Sequence, residues 1–297
     1  MSKKVIEAHN VNYKYPDGYR AIKNVSFYVN EGEKIGIIGA NGAGKSTMLK
    51  LLTGILNAES GKITVKDILL NKKNLKEIRK KVGFVFQESD NQLFMNTVYD
   101  DIAFGLRSSK EDEENIKIKI DNILEKFQIE RLRNKQIYKL SGGEKKVVAI
   151  AGIIVMSPEI ILMDEVTSSL DPKSRRTVIN LIKDLKETIV IASHDLDMVL
   201  DVCDRVLVFN NGEIIQEGPA YSILSNKKIM EEKVLENIEK ENFNSLKYIK
   251  QDYENFKQYI NSPNPPKHID YLCNDCAPDL LKFLNTKINI NVSGIKI

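Results

Sequence analysis

Residues 39–46 (GANGAGKS) constrain this chain more than any other segment, because they match the pattern G-x-x-x-x-G-K-[ST] without a mismatch. A short apolar run at residues 34–38 precedes them, and a helical pattern over residues 45–53 overlaps their end. A strand, a glycine-rich loop and a helix in this order direct backbone N–H groups and a helix N-terminus toward an anion. The sequence therefore predicts an α/β fold with a phosphate-binding loop.

The residue types in this loop predict a nucleotide site. Gly39, Gly42 and Gly44 allow the backbone to curl so that its N–H groups face phosphate oxygens. Lys45 can reach the β- and γ-phosphates, and the Ser46 hydroxyl can bind a magnesium ion. The alternative is a glycine-rich turn that precedes Lys-Ser by chance, and the flanking strand and helix argue against it.

Two more motifs point to the same chemistry. The segment LSGGE at residues 140–144 opens a predicted helix and is a second candidate helix start for binding an anion. Residues 160–165 (IILMDE) predict a buried parallel strand that ends in Asp164 and Glu165. Ligands of doubly wound sheets bind at the carboxyl ends of the strands, where these acids fall. Together the motifs resemble the ATP-binding cassette (ABC) family from about residue 5 to residue 225.

The resemblance implies a P-loop NTPase nucleotide-binding domain at residues 1–225, with an antiparallel β-subdomain and an inserted helical subdomain at about 97–157. It implies ATP and magnesium as cofactors. Asp164 would hold magnesium, mostly through water, and Glu165 would orient and polarise the attacking water. The implied ATP-binding residues are Tyr15, Gly39, Asn41, Gly42, Gly44, Lys45, Ser46 and Thr47, and the implied magnesium ligands are Ser46, Gln87 and Asp164.

Three more residues complete the expected site. Gln87 ends a strand-like run, and the family uses a glutamine here to touch magnesium or water. His194 lies just past another apolar run, at the sheet edge where ligands bind; in the family this histidine contacts the γ-phosphate and the catalytic water. Tyr15 precedes a predicted turn and matches the aromatic residue that stacks on adenine. Tyr13 or Tyr19 could also supply that ring.

The LSGGE motif implies that the working unit is a dimer. In the family, its residues complete the ATP site of the facing molecule and not that of their own chain. Asp171, in the segment SSLD, resembles the loop through which two cassettes sense each other's sites. A homodimer with two active sites and a heterodimer with a paralogue both remain open. The residues implied to act across this interface are Ser141, Gly142, Gly143 and Glu144.

Composition bounds the remaining possibilities. The 297 residues are 42% hydrophobic, enough for a full α/β core with something added. The net charge of +3 does not indicate a nucleic-acid partner, and we expect none. Three cysteines and no export-like leader favour a reducing, cytosolic setting. The longest apolar stretch, near residues 147–156, is far shorter than the roughly 18 residues that a membrane span needs.

Residues 226–297 are predicted to form a mostly helical C-terminal extension. Cys273 and Cys276 within it have metal-ligand spacing, and His268 lies nearby. A complete metal site needs about four ligands, so we expect a small packed tail instead. A metal-sensing protein built on these cysteines is the alternative interpretation.

Residues 86–98 (FQESDNQLFMNTV) are similar to the same region of the ATPase subunits of energy-coupling factor (ECF) importers for cobalt, nickel or vitamins. This resemblance implies a peripheral subunit on the cytoplasmic side of the membrane. A groove near residues 87–98 would receive a transmembrane scaffold protein, which works with a separate substrate-binding membrane protein. The transported substrate stays open. The candidate walls of the groove are Leu93, Phe94, Met95 and Val98. The alternative is that these apolar residues pack the subdomain interface, which we expect of some of them.

Two positions depart from the family pattern. Val166 stands where proline is common, which favours membership of a heterodimer, and Val147 stands where a basic residue is common. One alternative function is the ATPase of another ABC importer class. Another is a soluble ABC ATPase that acts on ribosomes or DNA. The chain has neither a second cassette nor a long coiled coil, which argues against the soluble class.

Overall fold

The computed structural model describes residues 3–225, and the larger of its two sheets carries the phosphate-binding loop. Its six strands are β3 (Lys34–Ile38), β6 (Val82–Val85), β7 (Ile160–Asp164), β8 (Thr188–Ala192), β9 (Arg205–Asn210) and β10 (Glu213–Pro219). They lie in the order β10-β9-β3-β8-β7-β6. All neighbours pair in parallel except β10, which is antiparallel to β9.

The strands β7 and β8 are buried at every residue, as expected for parallel strands covered on both faces. Because parallel strands end at the same sheet edge, the loops that follow β3, β6, β7 and β8 begin side by side. The α/β prediction is confirmed. Asn211 and Gly212 join β9 to β10 in a two-residue hairpin, and both have positive φ.

The second sheet is antiparallel and has four strands, which are β1 (Lys4–Lys14), β2 (Arg20–Asn30), β4 (Ser60–Val65) and β5 (Ile68–Leu69). Their order is β2-β1-β4-β5. Buried residues of both sheets, such as Val29 and Ile35, belong to one hydrophobic cluster. The two sheets therefore share one hydrophobic core, and the phosphate-binding loop follows β3 of the larger sheet.

Eight α-helices complete the described residues: α1 (Lys45–Leu52), α2 (Leu75–Lys81), α3 (Val98–Ser108), α4 (Glu113–Lys126), α5 (Gly142–Ile154), α6 (Pro172–Asp184), α7 (Leu196–Val202) and α8 (Ala220–Leu224). The helix α4 has one apolar face, on which Ile116, Ile120, Ile123 and Leu124 are buried. In residues 3–225, no helix has the length and apolar character needed to cross a membrane. The predicted extension, with His268, Cys273 and Cys276, lies outside the described residues.

Candidate active site

The phosphate-binding loop runs from the end of β3 to the start of α1 and tolerates only glycine at two positions. Gly39 has φ +150°, and a Cβ there would lie 2.2 Å from the Phe209 carbonyl oxygen. Gly44 has φ +104°, and a Cβ there would lie 2.5 Å from the Ala21 carbonyl oxygen. The close approach of these backbones fixes the curl of the loop.

Lys45 begins α1 with its side chain inside the loop. It is only 5% exposed, and its Nζ donates to the carbonyl oxygens of Gly39 at 2.9 Å and Ala40 at 3.2 Å. The same Nζ lies 3.6 Å from Glu165 Oε1. Burial lowers the pKa of Lys45, although the neighbouring carboxylates oppose this effect. The ammonium group is therefore held where the loop curls.

Ser46 and Asp164 meet although 118 positions separate them in sequence. The Ser46 hydroxyl donates to Asp164 Oδ1 at 2.8 Å. Asp164 is the last residue of β7, is 5% exposed, and has its pKa raised by burial. Hydroxyl and carboxylate oxygens are the ligands that magnesium prefers, and a bound cation would favour the ionised carboxylate. These two residues therefore fit the predicted magnesium site.

Glu165 and His194 form a close pair at the same sheet edge. Glu165 Oε2 lies 2.7 Å from His194 Nδ1, and the backbone N–H of His194 donates to the same oxygen at 3.2 Å. The hydrogen bond to Glu165 raises the pKa of His194. The carboxylate is thus oriented by a histidine from the loop that follows the neighbouring strand.

The backbone of Glu165 is held in the left-handed region, at φ +46°. Its N–H donates to the Ala192 carbonyl at 2.9 Å, and its carbonyl accepts from the Ser168 N–H at 3.1 Å and the Ser168 hydroxyl at 2.8 Å. A non-glycine residue in this region costs about 1–3 kcal/mol and persists only where its surroundings enforce it. These contacts aim the side chain of Glu165 at the sheet edge, near Lys45.

Three tyrosines meet beside the loop, with Tyr15 in the middle. The Tyr15 ring makes an edge-to-face contact with Tyr13 at 4.9 Å and lies 19° from parallel with Tyr19 at 6.5 Å. The Tyr15 hydroxyl lies 3.0 Å from Thr47 Oγ1, and the Tyr19 hydroxyl donates to the Gly42 carbonyl at 2.9 Å. Tyr15 is therefore tied to the start of α1 and Tyr19 to the phosphate-binding loop, and the adenine-stacking role of Tyr15 stays a prediction.

The residues predicted to act across a dimer contact other partners than the residues around the phosphate-binding loop. Ser141 caps α5 in a capping box with Glu144, and Glu144 also binds Arg131 and Lys135. Ser141 and Gly142 are exposed, whereas Gly143 is buried against Ser174 of α6. Elsewhere in the site, Asn41 and Gln87 are exposed, and Asp171 caps α6 through the N–H groups of Lys173 and Ser174.

Comparisons with known proteins identify the family of this chain. Residues 22–168 match the sequence model of the family described as ABC transporter. The energy-coupling factor transporter ATP-binding protein EcfA of Carboxydothermus hydrogenoformans is 39% identical over 230 residues, which cover 76% of this chain and 85% of the relative. The EcfA protein of Enterococcus faecium is 43% identical over 227 residues, which cover 74% and 81%. The chain belongs to the ABC transporter ATPase family.

A solved structure supports the family fold. The cbiO1 protein of Clostridium perfringens, described as part of the ABC transporter complex cbiONQ, aligns with a TM-score of 0.71 at 37% identity, covering 77% of this chain and 94% of that one. This ABC ATPase therefore binds ATP and hydrolyses it. ATPases of the family dimerise and work with membrane components of a transporter.

Sequence reasoning did not assign two side chains that connect the site to α5. The Lys146 ammonium donates to the carbonyls of Phe86 and Gln87, and the Gln92 side chain bridges Phe86 and Ala149. A lysine on the buried side of an apolar helix was the available signal for Lys146. Gln92 belongs to the stretch that resembles ECF ATPases, but nothing in the sequence shows which backbone it reaches.

The His194–Glu165 pair predicts a pH-dependent stability of the nucleotide-free protein. Because the pKa of His194 is raised in the fold, its pairing stabilises most below about pH 6.5, the ordinary histidine value, and this stabilisation is lost as pH rises through the folded pKa. We expect His194→Gln to lower Tm more at about pH 6 than at about pH 9. Thermal melts at both pH values would measure this.

His9 provides the matched control for that experiment. It lies on β1 with its side chain 63% exposed, 3.7 Å from Glu7. His9→Gln should change Tm equally little at both pH values, since an exposed pair contributes little. An equal loss of Tm at both pH values in His194→Gln would contradict the stabilising role of the protonated histidine.

Proposed function

We propose that this ABC ATPase is the energy-coupling subunit of an ECF-type importer. It dimerises around two ATP molecules, with itself or with a paralogue, and drives uptake of a metal ion or a vitamin through separate membrane subunits. Its place is the cytoplasmic side of the cell membrane, as a peripheral protein. The similarity to two proteins named EcfA and to a subunit of cbiONQ carries this proposal.

The described contacts support a division of labour among the site residues. Lys45 binds the β- and γ-phosphates inside the loop, and Ser46, Asp164 and Gln87 hold magnesium. Magnesium, when bound, neutralises charge on the phosphate oxygens. Glu165 accepts a hydrogen bond from the attacking water and turns it toward the γ-phosphate, and His194 orients that carboxylate. The 2.7 Å contact between Glu165 and His194 fits this arrangement.

A dimer accounts for the exposed start of α5. Ser141 and Gly142 present a hydroxyl and backbone N–H groups at a helix N-terminus, which attracts phosphate oxygens. Together with Gly143 and Glu144, they complete the ATP site of the facing molecule, and Asp171 lies in the loop that contacts it. ATP thus holds the two molecules together, and hydrolysis loosens them.

The proposed docking site for the transmembrane scaffold protein is a groove of about 240 Å³, and its lining begins at Asp90, three residues after Gln87. Phe94 and Tyr138 are its most exposed aromatic residues, at 63% and 72%. The groove combines apolar side chains with Asp90 and Lys145, a mixture that suits an amphipathic helix of the scaffold protein. Val98 does not belong to it: the side chain is fully buried at the start of α3 and packs in the core. The lining residues are Asp90, Leu93, Phe94, Met95, Asn96, Ile137, Tyr138 and Lys145.

The test is a mild-detergent pull-down of the tagged full chain from its own membranes, with mass spectrometry of the bound proteins. We expect a multi-spanning scaffold protein, a small substrate-binding membrane protein and either this chain or a second ATPase. Phe94→Glu should lose the membrane partners and keep ATPase activity, because a charge replaces an exposed apolar contact. Ile118→Glu, which changes an apolar residue 52% exposed on α4, is the matched control and should keep them.

Other outcomes would replace the proposal. A substrate-binding protein joined to two dissimilar membrane subunits would indicate another ABC importer class. Ribosomes or DNA-repair proteins without any membrane partner would overturn the transport function and leave the ATPase activity alone. The identity of the small membrane protein would indicate whether the cargo is a metal ion or a vitamin.

A further inference from the structure

Lys146 is a buried cation that the mechanism above does not use. It lies on α5 and is 2% exposed. Its Nζ donates to the Gln87 carbonyl at 2.6 Å and to the Phe86 carbonyl at 3.1 Å. Burying an ammonium group costs several kcal/mol unless hydrogen bonds compensate, so a merely structural position would favour an apolar side chain. The two carbonyls that accept from Lys146 belong to the two peptides that flank the Gln87 Cα.

A second side chain ties the neighbouring peptide, between Val85 and Phe86, to the same helix. Gln92 Oε1 accepts from the Phe86 N–H at 3.1 Å, and Gln92 Nε2 donates to the Ala149 carbonyl at 2.8 Å. Ala149 follows Lys146 by three residues, so both ties end on nearly the same turn of α5. The backbone at Phe86 and Gln87 is therefore held from two directions against one stretch of helix.

We infer that Lys146 is a positioning residue that holds Gln87 in place for ATP hydrolysis and links it mechanically to the start of α5. This rests on the proposed roles of Gln87 and of Ser141. Lys146 follows Ser141 by five positions, which is about 7.5 Å along a helix. A helix this short moves as a rigid unit. When a facing molecule's phosphates dock on Ser141 and Gly142, the same helix carries Lys146, and with it the Gln87 carbonyl, to a defined position.

The choice of lysine has a physical reason. An ammonium group has three N–H donors on a flexible stem, so it can bind two carbonyls of different orientation at once. Arginine also offers several charged donors, whereas methionine fills a similar space and offers none. Lys146→Met therefore removes the hold on Gln87, and Lys146→Arg restores part of it.

The experiment compares turnover, ATP affinity and amide exchange in the full-length protein. In Lys146→Met we expect kcat to fall about 10- to 100-fold, as for misplaced catalytic groups, with KM for ATP changed less than about twofold. Hydrogen–deuterium exchange of residues 86–92 in the nucleotide-free protein should become faster. In Lys146→Arg, log kcat should recover by at least about a third of the difference between Lys146→Met and the wild type. Gln92→Leu, which cuts the second tie, should also speed exchange of the same residues.

Lys34 is the matched control. Its Nζ also donates to two backbone carbonyls, those of Ile182 at 2.9 Å and Lys183 at 2.6 Å, and burial lowers its pKa as it does that of Lys146. Lys34 lies at the end of β3 opposite the phosphate-binding loop. Lys34→Met should lower Tm while leaving kcat of the folded protein and exchange of residues 86–92 unchanged.

Three results would overturn the inference. The first is wild-type turnover in Lys146→Met together with unchanged hydrogen–deuterium exchange of residues 86–92. If Lys146→Met folds poorly, unchanged exchange of the same residues in Gln92→Leu takes its place. The second is an equal loss of kcat in Lys34→Met, which would assign the effect to general stability. The third is full turnover in Gln87→Ala beside a loss in Lys146→Met, because the loss then does not pass through Gln87. None of these results bears on which membrane proteins the chain binds.

Discussion

Glu165→Gln is expected to lower ATP turnover about 10²- to 10⁴-fold while ATP binding survives. Glutamine keeps the size of the side chain and still accepts the His194 N–H, but an amide cannot act as a base toward the attacking water. In the proposed mechanism, removal of this group blocks the hydrolysis step that loosens the dimer. We therefore expect the variant with ATP to accumulate as a dimer, measured by size-exclusion chromatography with light scattering beside steady-state phosphate release.

Glu213→Gln is the control for this change, because it makes the same substitution at an exposed residue at the start of β10. It should hydrolyse ATP at the wild-type rate. Turnover in Glu165→Gln within about twofold of wild type would contradict the assignment of Glu165 as the water-orienting group. A loss of ATP binding in the variant would instead indicate that the left-handed backbone at residue 165 had not formed.

Lys45→Ala is expected to weaken ATP binding about 10- to 100-fold, because it removes the charged hydrogen-bond donor that we propose binds the phosphates. Lys45 is 5% exposed, and its ammonium group already donates hydrogen bonds to the Gly39 and Ala40 carbonyls. Its position is therefore set before the nucleotide arrives, and little side-chain entropy is lost on binding. Titration with a fluorescent ATP analogue would measure the Kd.

Lys34→Ala again serves as a control, since this lysine has a similar pair of backbone partners far from the phosphate-binding loop. Its Kd for ATP should match that of the wild type. An unchanged Kd in Lys45→Ala would contradict the phosphate-binding role. The two predictions separate cleanly, because the Glu165 change acts on kcat and the Lys45 change acts on binding.

The sequence by itself was sufficient for the local elements around the site. Residues 39–46 predict their own loop, because glycines at positive φ and a helix start are properties of neighbouring residues. The apolar runs of β7 and β8 also predict buried parallel strands, because an uninterrupted apolar run is typical of a strand covered on both faces. Resemblance to the ABC family then supplied roles for Asp164, Glu165 and His194 that a single motif could not.

The pairings between these elements were decided only by the tertiary structure. Ser46 meets Asp164, and Glu165 meets His194, because parallel strands bring their carboxyl ends to one sheet edge. Sequence patterns fix which face of a strand or helix is buried, but not which distant atom a buried side chain reaches. Val98 was one of four candidate groove residues and is buried, and Lys146 reaches from α5 to the Gln87 carbonyl. Both depend on how α3 and α5 pack, which is a property of the whole fold and not of either segment.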